Sequence, residues 1–285
     1  MEGDPGKGTG ASTELIVEAA QAAHAMGVRK IKFLGGEPLL RRDLPLIVEQ
    51  LADLEAVDLS LITGGAAPIA TLDACFEAGL HRANLSIHGW TLEAFNGRAR
   101  RGRRAWQTRN RTLDRLLELG RPLKLNYVYC SEEDEEDLAG LLDHCAALPL
   151  VVNVLNDLGN PALDHRTLRR RLVTMRGPYA GAHVEPDPLS LPTVHLCWAD
   201  GLVVELKHQQ LGRVAPWTAC DRCPARAQCR EGIHALRLGH DGRLRICMDR
   251  EDIALSLQPL HETDNALATR GAVADFVTSQ ARTSA

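Results

Sequence analysis

From Leu15 to Leu155 the chain alternates single helices with short apolar strands, and that alternation leaves it few folds. Leu15, Ile16, Ala19, Ala20, Ala23 and Met26 recur at helical spacing, and Gly27 ends the run. A strand over 31–34 follows and enters Gly35-Gly36-Glu37-Pro38. Asp43 is placed to cap the next helix, whose Leu44, Ile47, Leu51 and Leu54 share one face. Strands over 57–62 and 83–87 end in Thr63-Gly64-Gly65 and His88-Gly89. Between them a helix carries Ile69, Leu72 and Phe76 and stops at Gly79. A longer loop then leads to the helix bearing Leu113, Leu116 and Leu117, closed by Gly120. A fourth strand spans 123–129 and a fifth 150–155. Between these two, Ser131 caps a helix whose acidic first turn, Glu132-Glu133-Asp134, suits the helix dipole.

Strands joined by single helices need right-handed crossovers and so form a parallel sheet. An open doubly wound sheet and a barrel both satisfy the pattern, and both gather a site at the C-terminal ends of the strands. Near Arg176 the pattern breaks. Gly177-Pro178 and Glu185-Pro186-Asp187-Pro188 read as a linker. The stretch 202–206 follows an Asp200-Gly201 turn as a hairpin strand. The stretches 235–238 and 243–246 flank Asp241-Gly242 as a second hairpin, with Cys247 at its end. The last thirty residues are polar, with one weak helix near 266–276 that is expected to pack only loosely.

The 285 residues are 45% hydrophobic and 25% charged, which excludes wholesale disorder and a collagen-like chain. No apolar run approaches the roughly 18 residues of a membrane span, and no secretory signal opens the chain, so a cytoplasmic location is expected. A net charge of −4 gives no global case for nucleic acid or an anionic membrane. In that setting clustered thiols hold metal or do redox work more often than they form disulfides.

Of eight cysteines, four fall within 28 residues as Cys220-x2-Cys223-x5-Cys229-x17-Cys247. Two thiolates spaced x2 share one turn, and a hairpin returns a distant cysteine to the same point. Four thiolates suit structural zinc or an iron–sulfur cluster, and spacing does not separate the two. Cys75 and Cys145 lie on apolar helix faces and read as core.

Three polar turns close successive strands: Gly35-Gly36-Glu37-Pro38, Thr63-Gly64-Gly65, and Ser86 with His88. Paired glycines let a ligand approach the backbone, and a glutamate accepts from an ammonium group, so the three turns together suggest one pocket. Only five of the 33 basic residues are lysine, and two of them, Lys32 and Lys124, sit inside apolar strands. Each alone reads as an edge or snorkelling lysine, and the pair suggests an inward-facing anion contact. Arg98, Arg100, Arg101, Arg103, Arg104, Arg109 and Arg111 read as a solvated basic loop, with a phosphate or acidic-peptide contact as the alternative. The glycine-rich start lacks the order of a phosphate loop, and no Ser-His-Asp signature appears.

Together these residues resemble the radical S-adenosylmethionine (SAM) enzymes, and within them the GTP 3′,8-cyclases of molybdenum-cofactor synthesis and their paralogs. The resemblance covers about 12–160 and again about 195–250. It implies that Gly35, Gly36, Glu37, Thr63 and Ser86 hold SAM, and that Lys32, Lys124 and Arg237 face substrate. It also implies that Cys220, Cys223, Cys229 and Cys247 bind an auxiliary 4Fe–4S cluster in a twitch or SPASM-like module. The family's CxxxCxxC motif, which holds the SAM-cleaving 4Fe–4S cluster, is absent, and the first cysteine is Cys75. Met1-Glu2-Gly3 resembles the segment that follows that motif. Either the sequence begins at an internal Met of a longer protein, or radical chemistry has been lost; the intact SAM motifs favour the first. As numbered, the chain is not expected to cleave SAM.

Other departures bear on substrate. Four cysteines replace the cyclase's three, Lys32 an arginine, Ile62 a threonine, and Ala235 the first arginine of the arginine–leucine–arginine triplet. The chain ends Thr283-Ser284-Ala285 rather than in the glycine pair. A paralog with another small-molecule or peptide substrate is therefore expected ahead of the GTP cyclase itself, with a non-catalytic iron–sulfur or zinc-binding remnant as the contrasting reading. A reductant such as flavodoxin or ferredoxin is the implied partner, with no membrane or nucleic acid. The expected fold is α/β: a partial parallel TIM-like (β/α) barrel lacking its first strand over 1–178, a small cysteine-rich α+β domain over 179–255, and a tail over 256–285.

Overall fold

The computed structural model describes residues 10–281, apart from 158–159, 161, 188–189, 208–214, 216, 230–233 and 262–265. The first half follows the strand–helix alternation. Helix α1 (Thr13–Ala25) leads to β1 (Lys30–Phe33), α2 (Leu44–Ala52) to β2 (Asp58–Thr63), and α3 (Ile69–Glu77) to β3 (Arg82–Ile87). Helices α4 (Leu92–Ala99) and α5 (Gly102–Glu118) precede β4 (Leu123–Tyr129), and α6 (Glu135–Cys145) precedes β5 (Val151–Asn156). The chain then runs through α7 (His165–Arg176), β6 (Gly181–Glu185), β7 (Thr193–Cys197) and β8 (Val203–Lys207).

These strands form one eight-stranded sheet in the order β1-β2-β3-β4-β5-β8-β7-β6. Pairing is parallel from β1 to β5 and between β5 and β8, and β7 runs antiparallel to both β8 and β6. The sheet thus runs across the boundary expected at 178, and β6 lies between the two stretches read as a linker. One face carries Leu59, Leu61, Leu85, Ile87, Leu125, Val152, Val154, Val204 and Leu206, all buried. It packs against Ile47, Leu51, Leu72, Leu116, Leu141 and Leu168 of the helices. Full burial of each such side chain contributes about 1.5–3 kcal/mol, which makes this layer the main source of stability.

A second, smaller core lies at the N-terminal helix. Strands β9 (Arg237–Leu238), β10 (Arg243–Arg245) and β11 (Ala254–Ser256) form an antiparallel sheet, followed by α8 (Gln258–His261) and α9 (Ala266–Gln280). Leu15, Ala19 and Ala22 of α1 pack with Leu244, Leu257 and Val273, and the Ala11 N–H donates to His240 O at 2.7 Å. The tail helix is therefore docked rather than loose. Its apolar residues do not keep a helical period, and α1 supplies the other half of the interface.

Two local expectations are also corrected. The basic loop is mostly helix: Thr91 caps α4, Arg100 breaks it in the left-handed region, and α5 carries Arg109 into the interior. Asp43 sits at the N-cap of α2 without capping it. Its carboxylate takes Arg41 at 2.7 Å and the Thr13 hydroxyl instead, tying α2 to α1.

Candidate functional site

The turns after β1 and β2 meet at one carboxylate. Glu37 Oε1 accepts from the Leu39 N–H at 3.2 Å and from Thr63 Oγ1 at 2.8 Å, and Oε2 accepts from the Gly64 N–H at 2.9 Å. Thr63 Oγ1 in turn accepts from the Gly65 N–H at 2.9 Å. Gly65 has φ +70°, and a Cβ there would lie 2.8 Å from Leu85 Cδ1, so no other residue fits without displacement. Gly35 has φ +112°, and nothing lies within 4 Å of a Cβ built on it or on Gly36. The result is an open backbone ledge above a fixed carboxylate, at the strand ends where such folds bind ligands.

Beside that ledge the uncovered face of the sheet is polar. In register, Ser86 pairs with Asn126, Asn126 with Asn153, Asn153 with Glu205, Glu205 with His195, and His195 with His183. Side chains alternate along a strand, so these six point to one side, and Lys124, two residues before Asn126, points with them. Lys124 Nζ lies 2.5 Å from Glu205 Oε2, and Glu205 is only 3% exposed. Asn153 Nδ2 donates to Asn126 Oδ1 at 2.9 Å. Among the described residues, the buried Oδ1 atoms of Asn84 and Asn153 have no partner.

Lys32 joins the same side one level lower, in register with Ser60 and, beyond it, Arg82. Protein atoms strip water from its ammonium, and Arg82, Lys207 and Lys124 repel it, so its pKa is lowered. Lys207 is five strands away, which is about 24 Å across a flat sheet at 4.8 Å per strand, far beyond the screening length in salt. The influence of Lys207 on Lys32 agrees with a curled sheet, whose polar face is the lumen of a partial barrel.

The loop above β3 is held by Asp137, which the sequence did not single out, and by Arg109, which it placed in a solvated basic loop. Asp137 accepts from the Trp90 and Thr91 N–H groups, both at 2.7 Å, and from Tyr127 Oη at 3.0 Å. Arg109 is 0% exposed, donates to Gly89 O at 3.1 Å and Trp90 O at 3.2 Å, and lies against the Trp90 and Phe95 rings. Burial brings its pKa down to about 10.

Arg237 opens β9 on the small sheet, apart from the strands that carry Lys32 and Lys124. Cys220 ends one 3₁₀ turn, Cys229 follows another, and all four clustered cysteines are half-buried and outside any disulfide. Among the described residues no three His, Cys, Asp or Glu side chains converge as a metal-ligating group, these cysteines included. They have the donor chemistry for zinc or iron–sulfur but do not form an assembled site. Cys75 and Cys145 are buried, and desolvation pushes both thiols up to about 12, as core residues.

The sequence profile of the radical SAM superfamily matches residues 2–145, half of the chain. The chain belongs to the radical SAM superfamily. It is similar to probable GTP 3′,8-cyclases of archaea. One from Methanococcus maripaludis strain C6 is 30% identical over 156 residues, covering 54% of this chain and 51% of the relative. One from strain C5 is 30% identical over 244 residues, covering 85% and 76%. One from Saccharolobus islandicus is 28% identical over 271 residues, covering 90% and 79%. The chain spans about half the length of several of these curated relatives in the aligned region. Among solved structures, SuiB of Streptococcus suis bound to S-adenosylmethionine has a TM-score of 0.48 at 19% identity, covering 59% of this chain and 40% of SuiB.

The radical SAM superfamily implies SAM and an iron–sulfur cluster. The Gly35-Gly36-Glu37 ledge fits the amino-acid end of SAM, because it pairs open backbone with a carboxylate already oriented by three donors. Glu205, Asn153 and Asn84 escaped the sequence reading. The signal that exposed Lys32 and Lys124, a polar residue inside an apolar strand, was equally present in Val-Val-Glu-Leu and Val-Val-Asn-Val. No helix among the described residues is long and apolar enough to cross a membrane.

Proposed function

We propose that this radical SAM protein binds SAM at the strand ends, with Gly35, Gly36, Glu37, Thr63 and Ser86 around it, and holds an unidentified small-molecule or peptide substrate in the lumen. When bound together with the SAM-cleaving 4Fe–4S cluster, SAM supplies hydrogen-atom abstraction through a 5′-deoxyadenosyl radical. The protein's own part is positioning and shielding. Thr63 and Gly64 hold the Glu37 carboxylate in place, Ser86 stands on the adjoining strand, and Lys32 and Lys124 face the substrate. Arg237 is proposed as a further substrate contact from the small sheet. The cysteine set is proposed to bind an auxiliary 4Fe–4S cluster, supported by its spacing and by the hairpin that precedes Cys247. A reductant such as flavodoxin or ferredoxin would deliver electrons.

The Glu37 junction carries this reading. Equilibrium dialysis against labelled SAM tests it: saturable binding that is lost in Glu37→Ala while that variant stays folded is the expected result. Absence of saturable binding to the wild type overturns it. A second reading is a non-catalytic iron–sulfur or zinc-binding remnant of the family. The reading frame upstream of Met1 separates the two, since an in-frame CxxxCxxC supports the enzyme and an immediate stop codon the remnant. The names of the relatives favour a third reading, the GTP 3′,8-cyclase of molybdenum-cofactor biosynthesis.

A further inference from the structure

We propose that Glu205 makes this lumen reject nucleoside polyphosphates and select a substrate rich in hydrogen-bond donors, such as an amino- or hydroxyl-bearing small molecule. The inference rests on the reading of the lumen as the substrate site. Lys124 Nζ is 2.5 Å from Glu205 Oε2, so the lysine that β4 brings to the lumen wall is already neutralised. Glu205 is 3% exposed and stands in register between Asn153 and His195, so its charge cannot swing out to solvent.

Phosphate oxygens only accept hydrogen bonds. Beside Lys124 they would meet a carboxylate and the unpartnered Oδ1 atoms of Asn84 and Asn153, which are acceptors as well, while the other lysines of this face, Lys32 on β1 and Lys207 at the end of β8, lie outside that stretch of wall. Like-charge contact and unpaired buried acceptors both discriminate strongly against such a ligand. A ligand carrying N–H or O–H groups satisfies the same atoms. The relatives named for GTP share the superfamily, and Glu205 is the residue that turns this lumen away from their substrate.

Titration with sodium tripolyphosphate, followed by ³¹P NMR at neutral pH, tests the proposal. The wild type is expected to show no saturable binding tighter than about 1 mM. Glu205→Gln frees the Lys124 ammonium and is expected to tighten binding about tenfold, and adding Lys124→Gln is expected to remove that gain. Tight saturable binding to the wild type overturns the proposal, and this arm stands even if Glu205→Gln fails to fold. A folded Glu205→Gln that gains nothing also overturns it. A gain that survives Lys124→Gln places the anion elsewhere and overturns the lumen reading itself.

Discussion

Thr63 donates its hydroxyl hydrogen to Glu37 Oε1 at 2.8 Å, joining the ends of two adjacent parallel strands. The same hydroxyl oxygen accepts from Gly65, so one buried side chain fixes both turns that line the ledge. Thr63→Val keeps the shape and deletes both bonds. It is expected to cost about 1–3 kcal/mol in urea unfolding, because Glu37 and the Gly65 N–H lose a partner away from water. It is also expected to weaken SAM binding about tenfold, and lost stability with unchanged affinity would separate Glu37 from the ligand.

Arg109 supports the loop above β3 from inside. Arg109→Leu leaves the Gly89 and Trp90 carbonyls without their charged donor. A loss of about 3 kcal/mol in chemical denaturation is expected. A surface-like effect below 0.5 kcal/mol would show that the guanidinium is not needed there.

Acid should loosen the small sheet. Hydrogen bonds from Arg245 hold the Asp241 carboxyl down to about 2, against an ordinary 3.8. A folded pKa below the unfolded one gives stability that is complete above the unfolded value and is lost as pH falls. The loss therefore develops as pH drops from about 4 toward 2. Asp241→Asn is expected to flatten that part of the melting temperature–pH curve, and an unchanged slope would remove Asp241 as the cause.

Val273 is 0% exposed in the second core. Val273→Asp places a carboxylate among Leu15, Leu244 and Leu257, at a cost of about 3 kcal/mol or detachment of α9. Limited proteolysis should then cut near α9 before the main sheet. Equal resistance in variant and wild type would mean that the helix is held by other contacts.

Anaerobic reconstitution with iron and sulfide is expected to give a brown protein with about four irons per chain, all lost in Cys223→Ala. One tightly held zinc without colour would sink the cluster assignment.

The legible parts of this protein are periodic or local. The strand–helix alternation, the Asp241-Gly242 hairpin and the Ser131 cap each depend on residues a few positions apart. Arg109 was hidden because a run of arginines reads as surface, and only the turn at Arg100 and the start of α5 carry one of them inside. The docking of α9 was hidden because α1, at the far end of the sequence, completes its interface.

By itself the sequence determined the parallel α/β layer, the Gly-Gly-Glu turn and the four-cysteine spacing, since each is a pattern within one element or one turn. Only the tertiary structure decided which groups share the lumen. Glu205 and Lys124 are 81 positions apart, and they meet because β8 returns to the sheet beside β5 and the sheet curls. Strand order is a nonlocal property, set by how the whole sheet closes, and the charge balance of the site follows from it.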